Sequence, residues 1–256
     1  SILVRFCSLG SGSRGNGTVV NHGHTNILVD CGFGYRDALK RMKRIGISPE
    51  NLTAVIVTHE HGDHWGGVNS LASKHRLPVF ASRGTWIEVS GHGIEDCHEI
   101  HDAFQIGSIR ILPVRVPHDS RESIQCVFEA GEQRLGVLSD LGSVSGRVIE
   151  MFSGLDALSI EFNHDWQMLQ AGPYPSFLKK RVGGDFGHLN NEQACSLLKS
   201  IACERLKKVV ACHISETNND VGLVESALEA ALKETVVERW VASQGEGTDW
   251  IEVGGL

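Results

Sequence analysis

Apolar residues along this chain fall mostly into short runs closed by Gly, Pro or Asp, the signature of strands ended by turns. Leu3 to Ser8, Asn26 to Val29, Ala54 to Thr58 and Pro78 to Ala81 read as strands, and so do Ile109 to Val116, Ile124 to Ala130, Arg134 to Leu138, Ala157 to Glu161 and Lys208 to Cys212. The spacing changes in three places. Tyr35 to Ile45 (with Leu39, Met42 and Ile45 on one face), Asn191 to Ala202 and Val221 to Lys233 carry apolar positions at helical intervals. Val236 to Val241 and Asp249 to Val253 are expected to pair as a hairpin around Gln244-Gly245-Glu246-Gly247. Hairpins followed by strand–helix alternation predict a layered α/β sandwich and exclude a helical bundle.

With 256 residues, 41% of them hydrophobic, the chain can fill one substantial core, and no Pro- or Ser-rich linker, repeat or low-complexity tract divides it. A single domain over 1–256 is expected. The net charge of −7 argues against a uniformly basic nucleic-acid coat and leaves room for a local patch or a bound cation. Seven cysteines without a C-x-x-C pair fit a reducing compartment, and no apolar run is long enough for a membrane helix, so the expected location is the cytoplasm and no membrane partner is expected.

The chemistry concentrates in Thr58-His59-Glu60-His61-Gly62-Asp63-His64-Trp65, where three imidazoles and two carboxylates directly follow a strand. Residues two apart in an extended chain share a side, so His59 and His61 can grip one ion, while Gly62 lets Asp63 and His64 bend toward a second. Left unpaired beside a buried strand, such groups would be costly. Both ions need more donors, and other strand ends offer them: His118 in Val116-Pro117-His118-Asp119, Asp140 after Gly136 to Ser139, and His213 after Val209 to Cys212.

This arrangement resembles the metallo-β-lactamase superfamily, in which a strand-borne H-x-H-x-D-H is completed by a later His, an Asp and a final His. The resemblance implies a four-layer αββα sandwich with two mixed sheets flanked by helices. It also implies that His59, His61 and His118 hold one divalent ion, that Asp63, His64 and His213 hold the other, and that Asp140 bridges them. Asp30, in Leu28-Val29-Asp30-Cys31-Gly32, matches the aspartate that supports the histidine loop from behind the ligands. An imidazole and carboxylate donor set suits zinc, manganese or iron, with zinc the expected metal. Two such ions can share a hydroxide and neutralise charge on a phosphoryl oxygen.

Three segments favour phosphate. In Ser8-Leu9-Gly10-Ser11-Gly12-Ser13-Arg14-Gly15-Asn16, small residues let backbone N–H groups approach an anion, making Ser11, Gly12, Ser13 and Asn16 candidate contacts. Gly187-His188-Leu189-Asn190-Asn191 opens a helix, so His188 and Asn190 are candidates there. Ser215 and Asn218 follow the last metal ligand in His213-Ile214-Ser215-Glu216-Thr217-Asn218-Asn219. Together with Glu161-Phe162-Asn163-His164-Asp165 and Pro173-Tyr174-Pro175, these resemble the YycJ/WalJ group of metallo-β-lactamase-fold proteins, described as 5'-to-3' DNA exonucleases. Asn190-Asn191 stands where that group usually has Ser-Asn, and Phe162 where it has Ser.

The resemblance implies a nucleic-acid substrate, DNA with a 5'-phosphate, attacked by a metal-bridging hydroxide. Asp63 would orient the hydroxide and His188 would bind the phosphoryl oxygens or protonate the leaving alkoxide, with Asn163 and His164 lining the pocket. The alternatives are a small-molecule cyclic phosphodiesterase, a tRNA-processing endonuclease of the same fold, and a non-enzymatic metal-dependent binding module. The interval from Asp140 to His213 is too short for the large inserted domain (β-CASP type) of RNA-degrading relatives. Lys179, Lys180 and Arg181, the basic face of Tyr35 to Ile45, and Trp65 and Trp166 are further candidates for contact with a polynucleotide.

Overall fold

The computed structural model describes residues 2–255. The chain lays down two seven-stranded sheets in succession. In the first, β1 (Val4–Gly10), β2 (Gly17–His22) and β3 (Thr25–Val29) run antiparallel, then β4 (Ala54–Ile56), β5 (Val79–Ala81) and β6 (Cys97–Glu99) add in parallel. The second repeats that scheme. β7 (Phe104–Ile106), β8 (Ile109–Arg115), β9 (Ile124–Ala130) and β10 (Gln133–Leu138) are antiparallel, and β11 (Ala157–Glu161), β12 (Lys208–Cys212) and β13 (Glu238–Val241) follow in parallel. β14 (Ile251–Glu252) returns to pair with β1.

Helices connect the parallel strands. On the first sheet they are α1 (Tyr35–Arg44), the single turn α2 (Gly62–Trp65), α3 (Val68–His75) and α4 (Arg83–Glu88). On the second they are α5 (Gly146–Met151), α6 (Trp166–Ala171), α7 (Ser176–Gly183), α8 (Asn191–Ile201) and α9 (Val221–Leu232). Three apolar clusters define the layers. Phe6, Ile27 and Ile56 meet Ile111, Phe128 and Val210 between the sheets. Leu28, Val55 and Val57 pack under Ala38, Met42 and Leu71 on one outer face. Leu158, Ile160 and Val209 pack under Leu197, Leu198 and Leu228 on the other. The result is the expected αββα sandwich, and each such side chain taken fully from water contributes about 1.5–3 kcal/mol. β11 and β12 are buried at every position because helices cover one face and the other sheet covers the second, whereas β8 alternates.

The expected C-terminal hairpin does not form. β13 extends the second sheet beside β12, and β14 extends the first beside β1, leaving only a tight turn with a Ser243–Gly247 bridge between them. An isolated two-stranded hairpin is marginal, and each half instead finds the open edge of an existing sheet. α1 also differs from a freely solvated basic face: the Arg41 guanidinium donates to the Leu9, Gln244 and Gly245 carbonyls, and that of Arg44 to Ser8 and Thr248. Among the described residues no helix is long and apolar enough to cross a membrane.

Candidate metal centre and its surroundings

The loop after β4 crosses one end of the strands, and the ends of β8, β10 and β12 converge on it. His59, His61 and His118 each bring a ring nitrogen into one group whose donor atoms lie within 4.8 Å of one another; Asp63, His64 and His213 do the same in a second. Asp140 lies between, its Oδ2 3.0 Å from His64 Nε2 and its Oδ1 3.2 Å from His213 Nε2 and 3.8 Å from His118 Nε2. Asp63 Oδ2 is 3.3 Å from both His64 Nε2 and His213 Nε2.

Local structure fixes these positions. Asp30, just past β3, accepts from the Thr58 amide and hydroxyl, both at 2.8 Å, and its Oδ2 lies 2.7 Å from His64 Nδ1. It thereby anchors both ends of the ligand loop and turns His64 Nε2 toward the cluster. Asp30 (φ 63°) and His213 (φ 50°) both occupy the left-handed region, a conformation that costs non-glycine residues of order 1–3 kcal/mol and concentrates at functional sites. His118 Nδ1 sits 2.9 Å from the Gly187 carbonyl, and His61 Nε2 3.1 Å from that of Asp119. The buried Gln125 accepts from the Ser139 amide and donates to the Asp140 carbonyl, setting the turn after β10.

Electrostatics divide the imidazoles. Burial drives His59 well below its usual value, with His64 adding to the effect, and burial likewise lowers His118. For His64 burial is overridden by the Asp140, Asp30 and Asp63 carboxylates, which raise it well above. His213 follows the same logic: burial opposes charge, but Asp140 and Asp63 raise it to about 9. Asp140 itself is held far below the carboxylate range despite burial, by His213 and His64. The Nε2 atoms of His59 and His118 are buried without a hydrogen-bond partner among the described residues, a state that is expensive unless a cation takes the lone pair. Neutral imidazoles with unused lone pairs, facing several carboxylates, are a donor set that fits divalent cations.

The phosphate candidates occupy mixed positions. Ser11 Oγ accepts from the His213 amide at 2.7 Å, and Asn16 lies beside the second group, its Nδ2 3.2 Å from Asp63 Oδ2 and 3.4 Å from His64 Nε2. The Asn16 amide also closes its own loop, accepting from Gly12 N–H and donating to the Gly12 carbonyl, while Ser13 is exposed. Asn190 caps α8 in a reciprocal box with Gln193. Ser215 Oγ accepts from the Asn218 backbone amide, and the Asn218 side chain is buried with neither of its polar atoms partnered among the described residues. Asn163 donates to the His213 carbonyl at 2.9 Å and receives His164 Nδ1 at 3.1 Å, so both stand behind His213. Trp65 packs edge-on against Trp86, and Trp166 is exposed.

The sequence alone assigns no role to Glu161. It ends β11 fully buried, accepts from the Leu189 amide at 2.7 Å and lies 2.7 Å from His188 Nδ1. Burial, reinforced by Asp140, raises its pKa well above the usual value, while burial and then His213 lower His188 to about 4. A signal does exist in the chain: Glu161 is the one charge in the strand Ala157-Leu158-Ser159-Ile160-Glu161.

Two seven-stranded sheets with a His/Asp cluster at one end define a class, and the beta-lactamase superfamily domain model matches residues 25–214. The chain belongs to this metallo-β-lactamase-fold family. It is similar to exodeoxyribonuclease YycJ of Bacillus anthracis, 31% identical over 90% of each chain. It is also similar to exodeoxyribonuclease WalJ of Streptococcus pneumoniae serotype 2 (strain D39), 33% identical over 85% of this chain and 84% of that one. Among solved structures, the metallo-β-lactamase-fold protein YhfI from Bacillus subtilis superposes with a TM-score of 0.75 at 16% identity, covering 98% of this chain and 99% of that one.

Proposed function

We propose that the protein is a metal-dependent phosphodiesterase that degrades DNA from a 5'-phosphorylated end. The observation that carries this reading is the His188–Glu161 pair set against the His/Asp cluster, where a proton donor for a leaving alkoxide is needed. Two relatives named exodeoxyribonucleases, matched over most of their length, support it.

His59, His61 and His118 would hold one ion, Asp63, His64 and His213 the other, and Asp140 both. Divalent ions there would supply Lewis-acid charge for a phosphoryl oxygen and lower the pKa of attacking water. Zinc is the expected occupant, and manganese and iron accept the same donors. The chain supplies the rest. Glu161, kept protonated by burial, donates to His188 Nδ1, which leaves the ring proton on Nε2. As that proton passes to the leaving oxygen, Nδ1 takes the one from Glu161, so the imidazole stays neutral and the negative charge left by the departing proton rests on the Glu161 carboxylate until a proton from solvent restores the pair. Asp63 orients the water, and the Ser11–Asn16 loop beside the second group seats the 5'-phosphate.

The test is product analysis. Protein loaded separately with zinc and manganese, and assayed for metal content, is given end-labelled single-stranded DNA, duplex DNA, RNA and bis(4-nitrophenyl) phosphate. Mononucleotides should appear from 5'-phosphorylated DNA; hydrolysis of the small ester alone overturns the exonuclease reading.

A further inference from the structure

The Ser11–Asn16 loop touches the Asp63, His64 and His213 side of the centre, while on the opposite side a groove of about 620 Å³ opens directly from His118. A strand whose 5' end is held on the first side has a way out along the second. Arg83 and Ile87 on α4, Arg115, Arg121 and Phe186 line this groove. Two arginines are partly committed, Arg115 to Glu122 and Arg121 to Glu88. Arg83 is exposed and makes no ion pair among the described residues. The lining carboxylates are also engaged: Glu122 accepts from the Gly84 amide as well as pairing with Arg115, and Glu99 lies 3.4 Å from His101.

Phe186 is 63% exposed, and its exposure is built in. Its neighbours are fastened from both sides: Ser143 Oγ donates to the Asp185 carbonyl, and the His188 amide donates to Val182. A Cβ on Gly187 would lie 2.2 Å from the Arg181 and Val182 carbonyls, and one on Gly142 2.3 Å from that of Asp185. Arg181 pairs with Asp119, next to His118, tying α7 to the centre. A solvent-facing phenyl ring on a fastened backbone, beside cationic side chains, is the combination that binds unpaired nucleic acid, because a duplex keeps its base faces covered. Every exposed Phe, Tyr or Trp among the described residues, Trp166, Phe177 and Phe186, lies in this one stretch of chain.

We propose that the groove between Arg83 and Phe186 is the track for the single DNA strand running away from the scissile phosphate, with a base stacked on Phe186 and backbone phosphates on Arg83 and Arg121. This rests on the exonuclease reading. The experiment compares kcat/KM for a 5'-phosphorylated dinucleotide and a 12-mer, together with anisotropy of a labelled 12-mer, in wild type, Phe186→Leu, Phe186→Trp and Arg83→Ala. The 12-mer advantage should fall at least ~5-fold in Phe186→Leu and in Arg83→Ala and survive in Phe186→Trp, the scale of one base–aromatic contact. An unchanged advantage in both Phe186→Leu and Arg83→Ala, or equal loss in Phe186→Leu and Phe186→Trp, overturns the track. If wild type hydrolyses bis(4-nitrophenyl) phosphate but not DNA, the exonuclease reading fails, and the anisotropy series still decides: 12-mer binding weakened by Phe186→Leu and Arg83→Ala retains the track, and no binding or unchanged binding removes it.

Discussion

The two sheets share one plan, antiparallel strands first and parallel strands after, yet they build their sides of the centre in opposite ways. The first delivers His59, His61, Asp63 and His64 from a single loop after β4. The second delivers His118, Asp140 and His213 one at a time, from the ends of β8, β10 and β12. A contiguous loop brings its donors together at little entropic cost but needs outside clamps, Asp30 for Thr58 and the His64 ring and the Asp119 carbonyl for His61. Dispersed donors each sit at the end of a different strand and take their own local contacts, Gly187 for His118, Gln125 for the Asp140 turn and Ser11 with Asn163 for His213, but they meet only when the whole sheet is paired. The first side is therefore encoded in one short segment that a single buried carboxylate braces, and the second is encoded across the whole sheet.

Substitutions can break that contrast in order of severity. Asp140→Ala, on the dispersed side, removes the carboxylate near donors of both groups; phosphodiester hydrolysis should fall more than ~10³-fold with bound metal reduced, measured by steady-state kinetics and metal analysis. His188→Ala should lower kcat by roughly 10²- to 10³-fold with metal content unchanged, and Glu161→Gln should fall between it and wild type. Equal metal loss in either would mean that the pair binds cations instead of moving a proton. Asp30→Asn, the clamp of the contiguous side, keeps a residue type tolerated at positive φ and should weaken metal affinity about 10–100-fold, read by titration with a chelator. Gly32→Ala puts a Cβ 1.9 Å from the Asp63 carbonyl, so the loop must shift; a loss of about 1–3 kcal/mol in chemical denaturation is expected, with the His118 side less affected in metal binding.

The same contrast explains what is legible in the sequence. The loop His59–His64 stands out because titratable side chains crowded after an apolar run are costly to bury unless they bind something, and the sandwich follows from short runs and turns. Glu161 escapes notice because one carboxylate at a strand end looks like a turn residue until its distance to His188 is known. β2 is hidden by the glycines before it, and α2 to α7, of four to eight residues, make at most about two turns, too few for a periodic pattern to repeat. The Arg41 and Arg44 side chains look solvated because their carbonyl partners at Gln244 to Thr248 lie about two hundred positions away in the chain. The terminal hairpin fails for a related reason: local pattern cannot tell which sheet edge a strand will find.

The turn between β13 and β14 braces the glycine loop near the opposite end of the chain. Gln244 Oε1 accepts from the Arg14 amide, its Nε2 donates to the Gly15 carbonyl, and the Ser11 amide donates to Ser243. A ribosome therefore releases the histidine-rich segment long before the parts that complete the pocket exist. A chain grown only to residue 128 carries five of the seven donors, His59, His61, Asp63, His64 and His118, but lacks Asp140, His213 and the Gln244 brace, so the centre is complete only after the turn at Ser243–Gly247 has emerged.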